Sequence, residues 1–190
     1  IEPDDKVKAF LVTQDLKDEE YINSHYVIMA TKKGQVKKTS LEQYSRPRTN
    51  GINAITIKEG DELLEAKLTT GDSQVMLALA SGKSIRFEEA KTRPMGRTAS
   101  GVRGITLQHE NDEVIGMVAV NDMESNILVV SEKGFGKRSK LEDYRVTNRG
   151  GKGVKTLNIS EKTGNLVAIK NVNDSNDLMI INKSGLTIRM

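Results

Sequence analysis

The sequence contains no cysteine and no tryptophan. Without cysteine it forms no disulfide, no thiolate zinc site and no cysteine nucleophile, and nothing in it calls for an oxidising compartment. No apolar run approaches the roughly 18 residues that a membrane-spanning helix needs. The opening residues Ile1-Glu2-Pro3-Asp4-Asp5-Lys6 are acidic, which does not fit a secretory signal. They also lack a starting Met, so the chain is expected to be a piece of a longer one. The reading is cytoplasmic. Only three prolines, four tyrosines and three phenylalanines are present. The apolar content is mostly Ile, Val, Leu and Ala, which suits many short strands better than an aromatic core.

What is there repeats about every fifty residues. Four short apolar runs each lead into a glycine turn with basic residues: Tyr26 to Ala30, Val75 to Leu79, Ile127 to Val130 and Leu178 to Ile181. The turn glycines Gly34, Gly82, Gly134 and Gly185 stand 48, 52 and 51 positions apart (82−34, 134−82, 185−134). A second anchor follows downstream: Gly51-Ile52-Asn53-Ala54-Ile55-Thr56-Ile57, Gly101 to Leu107 and Gly153 to Ile159. Its last three positions alternate as a half-buried strand does. A third element precedes each hairpin, at Val7 to Val12, Leu63 to Leu68, Val114 to Val120 and Leu166 to Ile169. Four strands per fifty-residue unit predict propeller-like blades, with repeats 7–57, 63–107, 114–159 and an incomplete 166–190. Helix is expected to be almost absent, apart from single turns at Ser40 to Tyr44 and Ser139 to Tyr144.

The net charge of +3 says little, but its distribution is informative. Residues 32–55, 83–103, 133–155 and 183–189 together make 75 positions. They hold 22 of the 29 Lys and Arg but only 5 of the 26 Asp and Glu. An even spread would place about 11 basic groups there. On a ring of blades these segments fall at one rim, which makes that rim a track for a polyanion, with duplex DNA the obvious one. The loops Ser45 to Gly51, Thr92 to Gly101 and Thr147 to Gly153 mix Arg with Gly, Ser and Thr. Glycine lets the backbone approach a phosphate, and arginine offers a fork that fits its oxygens. Such contacts position a duplex without reading its sequence. No aromatic residue lies in the three loops, so the stacking platforms of single-strand binders are missing. The candidate DNA contacts are Lys37, Lys38, Arg46, Arg48, Arg86, Arg93, Arg97, Arg103, Lys137, Arg138, Arg149, Gly150, Gly151, Lys152 and Lys155. Tyr44 and Tyr144, at equivalent repeat positions, are read as packing residues.

Catalytic signals are lacking. His25 and His109 have no partner at metal or triad spacing. Asp4-Asp5, Asp18-Glu19-Glu20 and Asp112-Glu113 fit either a hard cation or solvated turns. Gly150-Gly151-Lys152-Gly153 lacks the spacing and the Ser or Thr of a nucleotide-binding P-loop.

Taken together, TRPMGRTASGVRGITL at Thr92 to Leu107, SRPRTNGINAITI at Ser45 to Ile57, and the repeated K-G-x-x-K-R/K-x-x-L-x-x-Y at Lys33 to Tyr44 and Lys133 to Tyr144 carry a family resemblance. The chain resembles the C-terminal domain of the DNA gyrase A subunit over essentially its whole length. The resemblance implies an all-β pinwheel, a propeller-like ring of four-stranded blades that exchange strands with neighbours. It also implies DNA wrapped on a basic outer rim in support of negative supercoiling. The partners it implies are double-stranded DNA, the rest of the gyrase A subunit and the gyrase B subunit, in the cytoplasm and at the nucleoid. No cofactor is expected in this stretch, since ATP and Mg2+ belong to other parts of such an assembly. The family's heptapeptide box, Gln-Arg-Arg-Gly-Gly-Arg/Lys-Gly, is approached by Thr147 to Gly153, which keeps the last five positions and departs at the first two. It is read as the equivalent loop of a later blade. Two alternatives remain: the C-terminal domain of the topoisomerase IV A subunit, which shares the fold, and a propeller that scaffolds acidic proteins.

Overall fold

A computed structural model describes residues 5–190, so Asp4 and the rest of the first four residues lie outside it. Among the described residues thirteen strands make four antiparallel sheets. The three long hairpins anticipated from the apolar runs are β1 (Tyr26–Thr31) with β2 (Gln35–Ser40), β4 (Gln74–Leu79) with β5 (Lys83–Glu88), and β8 (Asn126–Ser131) with β9 (Gly136–Lys140). Each reverses at its repeat glycine, where Gly34, Gly82 and Gly134 all have φ near +80°. That left-handed conformation is cheap only for glycine.

The sequence repeat is not the blade. The strands read as preceding each hairpin are β3 (Leu63–Thr69), β7 (Val114–Val120) and β11 (Leu166–Val172). They pair backwards, with β1, β4 and β8 of the preceding hairpins. The strands after the basic loops, β6 (Val102–Arg103) and β10 (Val154–Lys155), also pair backwards, with β2 and β5. The first two sheets therefore run β3-β1-β2-β6 and β10-β5-β4-β7, each taking two strands from the following repeat. The third has three strands, β11-β8-β9. The fourth is the lone hairpin β12 (Met179–Ile181) and β13 (Thr187–Arg189).

Strand exchange explains the unbroken apolar runs. Val75, Leu77 and Leu79 on β4 join Ile28, Ala30 and Val36 in one core between the first two sheets. Met76 and Ala78, on the other face of β4, join Ile127, Val129 and Leu141 in a second core. A strand sandwiched on both faces needs no polar alternation.

Several expectations are corrected. Val7 to Val12 forms no strand, and Phe10 and Val12 are exposed. Residues 51–57 form none either. In the equivalent 105–107 the backbone leaves the sheet, because Ile105 donates to Gly34 O and Thr106 to Gly151 O. The acidic segment before β1 contains α1 (Glu19–Ser24), capped by the Asp18 carboxylate at 3.0 Å from Glu20 N and 3.1 Å from Tyr21 N. Single 3-10 turns stand at Leu41–Tyr44 and Leu141–Asp143, as expected, and also at Glu89–Lys91.

Candidate nucleic-acid interface

The second and third basic loops ride on the edge of the preceding blade. Before β6 pairs with β2, the loop 92–101 runs beside the same strand, with Met95 N donating to Lys38 O at 2.8 Å. Gly101 (φ +88°) packs its bare Cα there; a Cβ would stand 2.4 Å from Val36 O. The loop 147–153 repeats this on β5, with Thr147 N donating to Arg86 O at 2.8 Å. A Cβ at Gly153 would likewise stand 2.4 Å from Ser84 O.

The segment that follows each loop touches the next loop in order. Thr56, after the first loop, donates through Oγ1 to Thr98 O of the second at 2.6 Å. The segment after the second loop meets the third where Gly150 N donates to Gly104 O at 2.7 Å and the Arg149 guanidinium to Arg103 O at 3.0 Å. In and beside these loops Arg46, Arg48, Arg93, Arg103, Lys152 and Lys155 are exposed and Arg97 and Arg149 half-buried. None of these eight forms an ion pair among the described residues. Lys137 is exposed, and Arg138 is exposed but paired with Asp174 at 2.5 Å.

Three of the sequence candidates lie inside the protein. Lys37 is fully buried and donates to the carbonyls of Ala54 and Arg97. Burial and, secondarily, the Arg97 charge push its amine down to about 8. Lys38 is held by Glu89 at 2.9 Å and lies over the Tyr26 ring. Arg86 donates to Leu141 O at 2.7 Å, Tyr144 O at 2.9 Å and Gln74 Oε1 at 2.6 Å. The loop one repeat on covers these positions, so they do not meet a ligand at the surface. Gly150 is half-buried with its N–H spent on Gly104 O, while Gly151 is exposed. The fully buried Glu89 was missed. A repeat alignment marks it, since it is the only one of Leu41, Glu89 and Leu141, each seven residues after its turn glycine, that carries a charge.

Three further polar side chains are held within the fold. Tyr144 is buried with its hydroxyl on Thr156 Oγ1, and Tyr44 donates to Ala54 O at 2.9 Å. Asp112 is buried and accepts from Ser81 N, Ser81 Oγ, Gln108 N and Glu113 N. Among the described residues no His, Cys, Asp and Glu group is arranged to hold a metal. Among the described residues no helix is long and apolar enough to cross a membrane.

The chain is 44% identical over 191 aligned residues to the DNA gyrase A subunit of Staphylococcus epidermidis (strain ATCC 12228 / FDA PCI 1200). It is 42% identical to that of Staphylococcus aureus (strain NCTC 8325 / PS 47). All of the chain is covered in both cases, and it spans about a fifth of each relative's length (21%). Its fold matches the C-terminal domain of DNA topoisomerase IV with a TM-score of 0.82, at 24% identity over 88% of this chain and 52% of that one. It matches the DNA gyrase A C-terminal domain with a TM-score of 0.76, at 22% identity over 88% and 55%. The model of the DNA gyrase C-terminal domain, beta-propeller, matches residues 25–70, 76–121 and 125–173, each taking in one hairpin and the inner strand that pairs with it, and the chain belongs to that family.

Proposed function

We propose that the chain binds duplex DNA along the ridge of basic loops and bends it without reading its sequence. What supports this reading is the contact from one repeat to the next: the segment that follows each loop touches the next loop, and loops and flanks present Arg and Lys without an ion pair to solvent. The contact set excludes Lys37, Lys38 and Arg86, which are buried, and the Gly150 amide, which is engaged. It keeps Arg46, Arg48, Arg93, Arg97, Arg103, Lys137, Arg138, Arg149, Gly151, Lys152 and Lys155. Identity to the gyrase A subunit across the whole chain favours the gyrase reading over topoisomerase IV. In that setting the bend supports negative supercoiling by an assembly with the rest of the gyrase A subunit, the gyrase B subunit and DNA, in the bacterial cytoplasm. This stretch does no catalysis, and ATP and Mg2+ act elsewhere.

Each phosphate contact releases counterions, so log K should fall against log salt by about 0.9 per contact, or roughly 5 for six contacts. Arg93→Ala/Arg97→Ala should flatten that slope by about 2. It should also lower end-to-end energy transfer on a duplex that spans the ridge. Lys67→Ala/Lys170→Ala, on the inner strands β3 and β11, should change neither. Equal effects from the two double variants would refute the ridge as the DNA site.

A further inference from the structure

We infer that Lys38 and Arg86 are positioning residues, buried latches that fix how each blade sits against the next and so set the spacing of the basic loops. The consequence for DNA rests on the proposed function; the latch itself does not. Both residues stand four places after a turn glycine, Gly34 or Gly82. Both reach out of their own hairpin to the 3-10 turn of the following one, seven places after its glycine. There Lys38 meets the Glu89 carboxylate, with side-chain exposures of 5% and 0%. Glu89 also accepts from Thr69 Oγ1 at 2.7 Å and Ser73 N at 3.3 Å. Thr69 belongs to the inner strand of the first sheet, so two groups of that sheet hold one carboxylate of the second. At the next junction Leu141 replaces the carboxylate, and the Arg86 fork takes the main-chain oxygens of Leu141 and Tyr144 instead.

The two junctions are alternative solutions to one geometric task. The Lys38 ammonium is a compact point charge and is met by a carboxylate, whereas the planar Arg86 guanidinium spreads its donors in a fixed fork over two carbonyls. Replacing a buried ion pair by apolar residues of similar volume is often neutral or stabilising, so the role inferred for this pair lies in its directional bonds, which permit fewer arrangements of the two blades. Both 3-10 turns pass directly into basic loops, with Thr92 N bonded to Glu89 O and Tyr144 N to Leu141 O. Whatever fixes the turn therefore fixes where the loop begins.

The test uses exchange between the junctions. Lys38→Met/Glu89→Leu removes both charges together and leaves no ion unpaired. Lys38→Arg/Glu89→Leu installs the residue pair of the second junction in the first. The chain lacks cysteine, so Glu42→Cys and Ala90→Cys, both exposed, give one spin label on each blade's turn. The distance distribution between the labels should broaden in the Met/Leu variant and narrow again in the Arg/Leu variant. DNA bending should be lost and regained in step. A distribution as narrow in Met/Leu as in the parent, or still broad in Arg/Leu, overturns the inference. Should Met/Leu fail to fold, the Arg/Leu variant alone decides by the same criterion. If the labels behave as expected while the parent chain itself fails to bend DNA, the latch stands and the DNA reading falls.

Discussion

The same repeat position is buried in two blades and exposed in the third. Lys38 and Arg86 are 4% and 8% exposed, whereas Arg138 lies at the surface beside Asp174. The strands β2, β5 and β9 are alike, but β2 and β5 are covered by the loop one repeat further on, and no described residue covers β9 in this way. A side chain's role here is set by a segment some fifty residues away, not by its neighbours in sequence. The sharpest way to break this comparison is to truncate the cation. Lys38→Ala leaves the Glu89 carboxylate buried without its counter-ion and should cost about 3–5 kcal/mol. Arg138→Ala, in an exposed pair, should cost about 1 kcal/mol or less. Denaturant titration of both variants checks this, and similar losses would mean that the latch bears no more than a surface pair does.

The glycines give the same contrast a step lower in energy. Gly51, Gly101 and Gly153 share a repeat position and a positive φ. A Cβ meets backbone oxygen at 2.4 Å in Gly101 and Gly153 and nothing within 4 Å in Gly51. Gly51→Ala should therefore cost only the left-handed strain, about 1–2 kcal/mol. Gly101→Ala and Gly153→Ala add a clash with backbone that cannot yield cheaply, so about 2–4 kcal/mol is expected. Thermal midpoints that order the three otherwise would contradict the backward pairing of β6 and β10.

These contrasts also mark what was legible in advance. The period, the hairpins, the turn glycines and the segregation of charge are properties of the chain read in order, so the sequence carries them openly. The apolar runs in β1 and β4 mark strands in the sequence, and only the fold shows that both of their faces are buried. Blade membership is not linear information: β3 reads as the start of its own repeat but finds its hydrogen bonds with β1. For the same reason Lys37, Lys38 and Arg86 were indistinguishable from rim cations. A count of charge cannot tell which edge strand a later loop will cover. Helix α1 was hidden by its brevity, since six residues give too little periodicity to register, although Asp18-Glu19-Glu20 is a fair N-terminal signal.

The smallest expected effect concerns Lys37 and Lys137, which both stand three places after a turn glycine. Lys137 is exposed, whereas Lys37 is buried between the carbonyls of Ala54 and Arg97 with its amine lowered from 10.5 to about 8. Below pH 8 the amine is protonated in the folded and the unfolded chain alike, and the full cost of burying the charge is present. Above pH 8 the folded chain releases this proton, while the unfolded chain holds it until about 10.5. Unfolding then takes up a proton, so the contribution of Lys37 to stability rises with pH across that window. The slope is on the order of 1 kcal/mol per pH unit. Tyr44 works the other way: burial raises its pKa, so at the alkaline end the unfolded chain gives up the phenolic proton first. Comparison is therefore cleanest from about pH 7.5 to about 9.5, below the ordinary tyrosine range. Lys37→Met should lose ground to the parent chain steadily over that range in denaturant titrations. Lys137→Met removes one lysine at an exposed position and serves as the control for the change in net charge. Parallel curves for all three proteins would mean that the Lys37 amine keeps an ordinary affinity for its proton despite its burial.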